Sequence, residues 1–365
     1  MTARAVGRSA IFVIRSMPML PSKPIEWVTR RPLVERLLLS TQAGRSEADL
    51  YRPPSPGPHP GVVLSLGVVP ADVAMPQVAR IGEALARSGF AALLHWSPNM
   101  RDLRVDPGDI ADLAAAYATL IEQPYVDASR SGFIGTCVGG SFALMAAASP
   151  SIRSSVSFVS AYAPFSSMRS LAVDIASAGA TVGGGHVAWE VDPITWKTYV
   201  RSVTDWLKPA ETQPLRDAFE DRIRWNASKT EIIKSSVAAQ IDATTLSDEG
   251  RAVLRLLRAG ADDVDSALRA LPPLAKERFT AMSPMTYLND LEVPLIVLLH
   301  DRHDQVVPVG ESRRLWSALS ARPGVSYTEM GFEHLNPTKL SPLRLARELV
   351  RFYRAIYPLF RETTA

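Results

Sequence analysis

Cysteine is almost absent: Cys137 is the only one among 365 residues. A single thiol excludes an intramolecular disulfide and any zinc site built from several cysteines. It leaves an inert core side chain or a reactive group in a reducing compartment. An excess of charge is also missing, since 40 basic and 37 acidic residues leave a net charge of +3. With no polybasic tract and no aromatics interleaved with basic residues, nothing marks the chain as a nucleic-acid binder. Nor does any stretch approach the ~20 consecutive apolar residues that cross a bilayer. The apolar run from Ala10 to Ile14 is cut by Arg15, and no small-residue cleavage pattern follows closely. No secretory signal is read, and a cytoplasmic location is expected. No metal and no cofactor are expected.

Basic residues do gather at the start. Arg4, Arg8, Arg15, Lys23, Arg30, Arg31 and Arg36 stand against Glu26 and Glu35. A weak membrane-surface contact by this segment is the partner reading it allows. A chain of this length buries ample core as one large α/β domain with an insertion, or as two modest domains. From Val34 onward, short apolar runs alternate with turn residues. VERLLLST and SEADLYRP read as strands before the strand-breaking PSPGPHP. GVVLSLG, FAALLHW, SGFIGTC and SSVSFVSAYAP read as further strands, with helices over MPQVARIGEALARSGF and DPGDIADLAAAYATLIEQPYV, the latter capped by Asp106. Runs that are apolar throughout and alternate with helices imply a mostly parallel sheet covered on both faces.

That rhythm lapses after Phe165. To about Ser283 the chain is helical, charged and rich in tryptophan, with Trp189, Trp196, Trp206 and Trp225. It resumes with VPLIVLLH, a helix over 311–321, the strand VSYTEM and a helix over 341–357. The expected organisation is a basic extension over 1–39, a core over 40–165 and 284–365, and a helical insertion over 166–283. No internal repeat is evident.

The lone thiol sits in FIGTCVGG, where Gly135-x-Cys137-x-Gly139 follows a strand and opens a helix. This is the pattern of a nucleophile elbow, a sharp turn that strains the central residue and lifts its side chain clear of the sheet. A merely buried cysteine needs no glycine on both sides. At the start of a helix the thiolate is also expected to be favoured by the helix dipole. Attack on a carbonyl further requires a base and amide donors for the oxyanion. The Val138 amide follows the thiol directly, and the Val68 amide lies on the loop after GVVLSLG. Asp304, just beyond VPLIVLLH, is the candidate acid. Asp301 competes but stands nearer the strand end, where a turn or capping role suits it. His300 and His303 precede the acid on its own loop. His334, in MGFEHLNP, is the only histidine that follows it; a solvated loop histidine is the alternative reading.

Together these residues resemble the α/β-hydrolases, and the G-x-C-x-G-G elbow resembles the dienelactone hydrolase family. The resemblance covers about residues 40–165 and 284–365 and is carried by GTCVGGSFAL, LLHDRHDQVVP and GFEHLNP. It implies an eight-stranded, mostly parallel sheet with a lid inserted after the sixth strand. It also implies Cys137 as nucleophile, Asp304 as orienting acid and His334 as base. Two features depart from that family. Its glutamate on the loop after the third strand has no counterpart in SLGVVP, so the means of holding the thiol proton does not carry over. The long insertion implies a larger acyl substrate. Arg101, in NMRDLRVDPGD, resembles in location a clamp for a substrate carboxylate, with a solvated surface arginine as the alternative. The insertion's tryptophans and His186 read more simply as packing and loop residues.

The activity expected from this set is cleavage of a carboxylic ester, lactone or thioester through an acyl-cysteine. Two alternatives stay open: acyl transfer or acyl-CoA thioester cleavage beneath a dry lid, and a hydrolase-fold binding protein that keeps the pocket without turnover.

Overall fold

Eight strands meet in one sheet, whose inner members are too apolar to lie in water on either face. The computed structural model describes residues 2–17, 20–21, 23–41, 44–68, 71–182, 185–220, 223–224, 231–232, 241–332 and 341–364. Strands β1 (Leu33–Thr41), β2 (Gly44–Arg52), β3 (His59–Ser65), β4 (Ala91–His95), β5 (Val126–Thr136) and β6 (Phe158–Tyr162) come first. An insertion follows that holds two small hairpins, β7 (Gly179–Val182) with β8 (Gly185–Ala188) and β9 (Ile223–Arg224) with β10 (Glu231–Ile232). Strands β11 (Leu295–Asp301) and β12 (Val325–Met330) complete the sheet. Its order is β1-β2-β4-β3-β5-β6-β11-β12. Only the β1–β2 and β2–β4 pairings are antiparallel.

Strands β3, β4, β6 and β11 are buried along their whole length, which is why they read as unbroken apolar runs. β1 is an edge strand and mostly exposed; it opens at Leu33, inside the stretch read as an extension. β3 begins at His59 and so takes in Pro60, next to a register shift between Pro60 and Val62. A proline is tolerated at the first residues of a strand or at a bulge.

Helices α1 (Ala3–Ser16) and α2 (Lys23–Val28) precede the sheet, and α3 (Ala71–Arg87), α4 (Pro98–Arg101), α5 (Gly108–Ile121) and α6 (Val138–Ala147) connect its strands. The insertion supplies α7 (Met168–Ser177), α8 (Pro193–Thr204), α9 (Pro209–Glu220), α10 (Asp248–Arg258), α11 (Val264–Arg269) and α12 (Pro273–Ala281); α13 (Val309–Leu319) and α14 (Pro342–Glu362) end the chain. α5 starts with Pro107 at its cap position. Asp106 still serves that end: its carboxylate accepts from the Gly108 amide at 2.8 Å, and its own amide donates to Asp109 at 3.0 Å. This is a reciprocal arrangement of the capping-box kind.

One apolar core lies between the sheet and α5, α6 and α13, and continues into the insertion. The other joins the opposite face to α1, α3 and α14. α1 is committed to this second core: the Phe12 ring lies 5.6 Å from Phe360 and 6.5 Å from Phe352, and Arg15 bonds both Glu26 and Glu83 at 2.8 Å. Among the described residues no helix is long and apolar enough to cross a membrane.

The insertion leaves the sheet after β6 and packs on itself through its tryptophans. The Trp196 indole donates to the Phe219 carbonyl at 2.8 Å, and the Trp206 ring meets Phe279 edge to face. The TVGGGH stretch lies partly in the β7–β8 hairpin, with Thr181 opposite His186. Trp225 lies outside the described residues. Ion pairs from Asp205 to Arg104 at 2.8 Å and from Arg278 to Asp106 at 2.5 Å tie the insertion to the loop after α4.

Candidate active site

Between the last residue of β5, Thr136, and the first of α6, Val138, a single residue has to reverse the chain. Cys137 does so with φ 53° and ψ −132°, a left-handed value that a residue with a side chain rarely adopts. Its amide donates to the Tyr162 carbonyl on β6 at 2.7 Å, and its carbonyl accepts from the Gly140 amide at 3.0 Å. The flanking glycines are there for space. A Cβ on Gly135 would stand 2.4 Å from the Gly139 carbonyl oxygen, and one on Gly139 would stand 2.3 Å from the Ser65 carbonyl oxygen. Any side chain at either position would pry the elbow from its neighbours.

The sulfur lies on the floor of a narrow cavity of about 30 Å³, walled by Val68, Val138 and Phe165 from the core and by Leu171, Ile194 and Tyr199 from the insertion. That is room for a water or two. The Val138 amide reaches the sulfur, as the elbow pattern leads one to expect. Val68 is buried in the same cavity wall; among the described residues its amide meets no acceptor.

Burial of the thiol disfavours the thiolate. Burial, together with the Asp304 charge, pushes the thiol from 9.0 up to about 12, against the opposing Val138 amide. The change amounts to about 4 kcal/mol against the thiolate, whereas a helix N-terminus supplies roughly 0.3–1 kcal/mol in its favour. Desolvation therefore outweighs the dipole, contrary to the expectation from the helix start alone. A thiol raised this far is a neutral S–H at neutral pH.

Asp304 follows β11 by three residues and its side chain is wholly enclosed. One carboxylate oxygen accepts from the Val306 and Val307 amides at 2.7 and 2.9 Å; the other stands 3.8 Å from His300 Nε2. The insertion pins this loop from above. Trp189 Nε1 donates to the Asp304 carbonyl at 3.0 Å, and Thr195 Oγ1 donates to the Val306 carbonyl at 2.6 Å. Asp301 is a turn residue, its carboxylate accepting from the His303 amide at 3.1 Å. The buried His300 ring has a structural task as well. Nε2 lies 2.9 Å from the Val307 carbonyl, which can only accept, and Nδ1 lies 2.6 Å from Ser312 Oγ. His303 is exposed.

His334 lies outside the described residues. Arg101 does not join the thiol: its side chain is exposed, 5.9 Å from the Trp96 ring, in the wall of a surface cleft with Arg45 and Glu47. Sequence reasoning missed the stripe of small polar residues on α8. Thr195, Thr198 and Ser202 line the thiol cavity beside Tyr199. Their i, i+3, i+7 spacing within PITWKTYVRSVT was the available signal. Among the described residues no group of three or more His, Cys, Asp or Glu is placed to hold a metal.

No family model matches the chain. A curated protein from Bradyrhizobium sp, named a probable 2-oxo-3-(5-oxofuran-2-ylidene)propanoate lactonase, is 34% identical over 114 residues, covering 25% of this chain and 46% of that protein. This chain thus covers less than half of that relative's length. Among solved structures, an acylaminoacyl peptidase of Pyrococcus horikoshii superposes with a TM-score of 0.52 at 13% identity, over 94% of this chain and 44% of that one. Dipeptidyl peptidase 4 of Porphyromonas gingivalis gives a TM-score of 0.50 at 13% identity, over 91% and 36%. The chain has the α/β-hydrolase fold. In an α/β-hydrolase fold the crevice at the carboxyl ends of the strands is where ligands bind. Here Val68 follows β3, Cys137 follows β5 and Asp304 follows β11, so all three collect at that edge.

Proposed function

We propose that the chain is a hydrolase that cleaves a carboxylic ester, lactone or thioester through an acyl-cysteine on Cys137. The observation that carries this reading is the strained φ of 53° at a thiol between β5 and α6. Strain of this kind costs about 1–3 kcal/mol and is kept where it serves a site.

In the reading, the His334 imidazole takes the Cys137 proton while Asp304 holds the ring and balances its charge. The sulfur bonds to the carbonyl carbon, and the carbonyl electron pair moves to an oxygen held by the Val138 and Val68 amides. As that pair returns, the bond to the leaving oxygen or sulfur breaks and the imidazolium gives it the proton. Water then attacks the thioester and gives a proton to the imidazole. The acid leaves, and the sulfur takes the proton back. A thiol held near 12 suits this concerted proton transfer better than a standing thiolate. The lactonase named above, which shares 34% identity over its matched stretch, supports a lactone or related ester as substrate. A free nucleophilic thiol calls for a reducing compartment, in keeping with the cytoplasm.

The test is turnover of a panel of acyl esters, lactones and acyl-CoAs by the wild-type chain and by Cys137→Ala. Turnover that disappears in the variant supports the proposal; turnover that survives removes Cys137 from the chemistry. A second reading, acyl transfer, is favoured by the enclosure of the thiol in a cavity of about 30 Å³, which limits the access of water. With an added alcohol or amine acceptor, conjugate that outpaces free acid would select it. Labelling of one equivalent without turnover would select a binding protein instead.

A further inference from the structure

A cavity of about 300 Å³ lies across the sheet from the insertion, between β3, β5, β6 and β11 and the helices α1, α3 and α14. Close-packed interiors hold few voids larger than a water molecule, and this one reaches the size of small-ligand pockets. Its walls are mostly apolar, with Phe12 and Met17 at one side, Ile134 on the floor, and Phe352, Ile356 and Leu359 of α14 opposite. Among the described residues that line it, the one charged side chain is Arg80 of α3, half-buried in the wall.

Two other arginines of this region have partners. Arg15 bonds Glu26 and Glu83, and Arg87 donates to Thr29 Oγ1 at 2.8 Å. Among the described residues Arg80 has no carboxylate, hydroxyl or carbonyl partner. Its guanidinium stays charged at any physiological pH and offers a fork suited to a carboxylate. A cation in a mostly apolar pocket is complementary to an anion carried on an aliphatic body.

We propose that this cavity is a second binding site, separate from the thiol cavity, for an aliphatic carboxylate such as a medium-chain fatty acid. The carboxylate would pair with Arg80, and the chain would lie between α1 and α14. The cavity wall includes Gly135 and Thr136, the two residues of β5 before Cys137. Thr136 Oγ1 also donates to the Leu66 carbonyl at 3.0 Å, on the loop that leads to Val68. An occupant would therefore rest against the back of the elbow.

The test is titration calorimetry with sodium decanoate on the full chain carrying Cys137→Ala, so the result does not depend on the hydrolase reading. One equivalent should bind with a dissociation constant below about 1 mM. Ile356→Trp, which fills the cavity, should abolish binding. Arg80→Gln should weaken decanoate by about tenfold, the order of one charge-assisted hydrogen bond, while leaving 1-decanol unchanged. Absence of saturable binding overturns the proposal, as does undiminished binding in a folded Ile356→Trp. If circular dichroism shows that variant unfolded, the Arg80→Gln comparison decides alone, and equal decanoate affinity there overturns the proposal.

Discussion

Gly139→Ala is the sharpest perturbation the elbow offers. The added methyl would stand 2.3 Å from the Ser65 carbonyl oxygen and 2.5 Å from the Gly67 amide nitrogen, and real Cβ contacts essentially never fall below 3.0 Å. Both opposing atoms are backbone, so no rotamer change relieves the clash. The end of β3 and the start of α6 must part by at least 0.7 Å. Overpacking of that kind costs about 1–3 kcal/mol, and a shift approaching 1 Å at a reacting atom costs on the order of 100-fold in rate. The variant should therefore fold with a lowered urea midpoint, and its rate of acyl-ester cleavage should fall by about two orders of magnitude. Gly7→Ala is the control: within α1 a Cβ meets nothing within 4 Å, so stability should rise by up to ~1 kcal/mol. Urea melts followed by circular dichroism, with initial rates on one ester, measure both. A Gly139→Ala chain with wild-type midpoint and rate would refute the steric account of the elbow.

Iodoacetamide should alkylate Cys137 near neutral pH more slowly than it does a free cysteine, because burial holds the thiol neutral at about 12. Trp189→Phe, which removes the indole bond to the Asp304 carbonyl, should loosen the insertion and speed alkylation; an unchanged rate would deny that this tie closes the cavity. Asp109 is enclosed and raised from 3.8 to about 6 despite bonds from Ser97 and Asn99. Its folded value exceeds the unfolded one, so its contribution to stability is complete below about pH 4 and is lost as pH rises through about 6, by about 3 kcal/mol. Asp109→Asn should flatten the urea midpoint across that window, and an unaltered slope would contradict the assignment. Phe12→Ala should lower stability by about 3–5 kcal/mol, since its buried ring joins α1 to α14; a surface-like loss below ~0.5 kcal/mol in the same melts would show α1 undocked.

Much of the sheet could be read from the chain because its inner strands are apolar on both faces, so position along the sequence and burial coincide. β1 blurred the boundary: an edge strand with Glu35, Arg36 and Ser40 looks like surface. The docking of α1 was not legible either, since an apolar stripe beside arginines suits a membrane surface as well as a protein core. At the site, Gly135 and Gly139 disclosed the elbow because their reason is local and steric. The position of Asp304, just beyond a buried strand, was legible for the same reason as the strand itself. What the sequence concealed was the raised thiol pKa, which comes from burial of Cys137 beneath α7 and α8 and from the Asp304 charge. The separation of Arg101 from the thiol was hidden for a similar reason, since helix α4 directs it toward Trp96 and β2 instead.

The most direct measurement of the central claim is intact-protein and peptide mass spectrometry of the wild-type chain quenched during the first turnover of an activated acyl ester. The account predicts one added acyl group, located on the peptide that contains Cys137 and absent from Cys137→Ala. Acyl label on any other side chain, with ester still cleaved by Cys137→Ala, would contradict it.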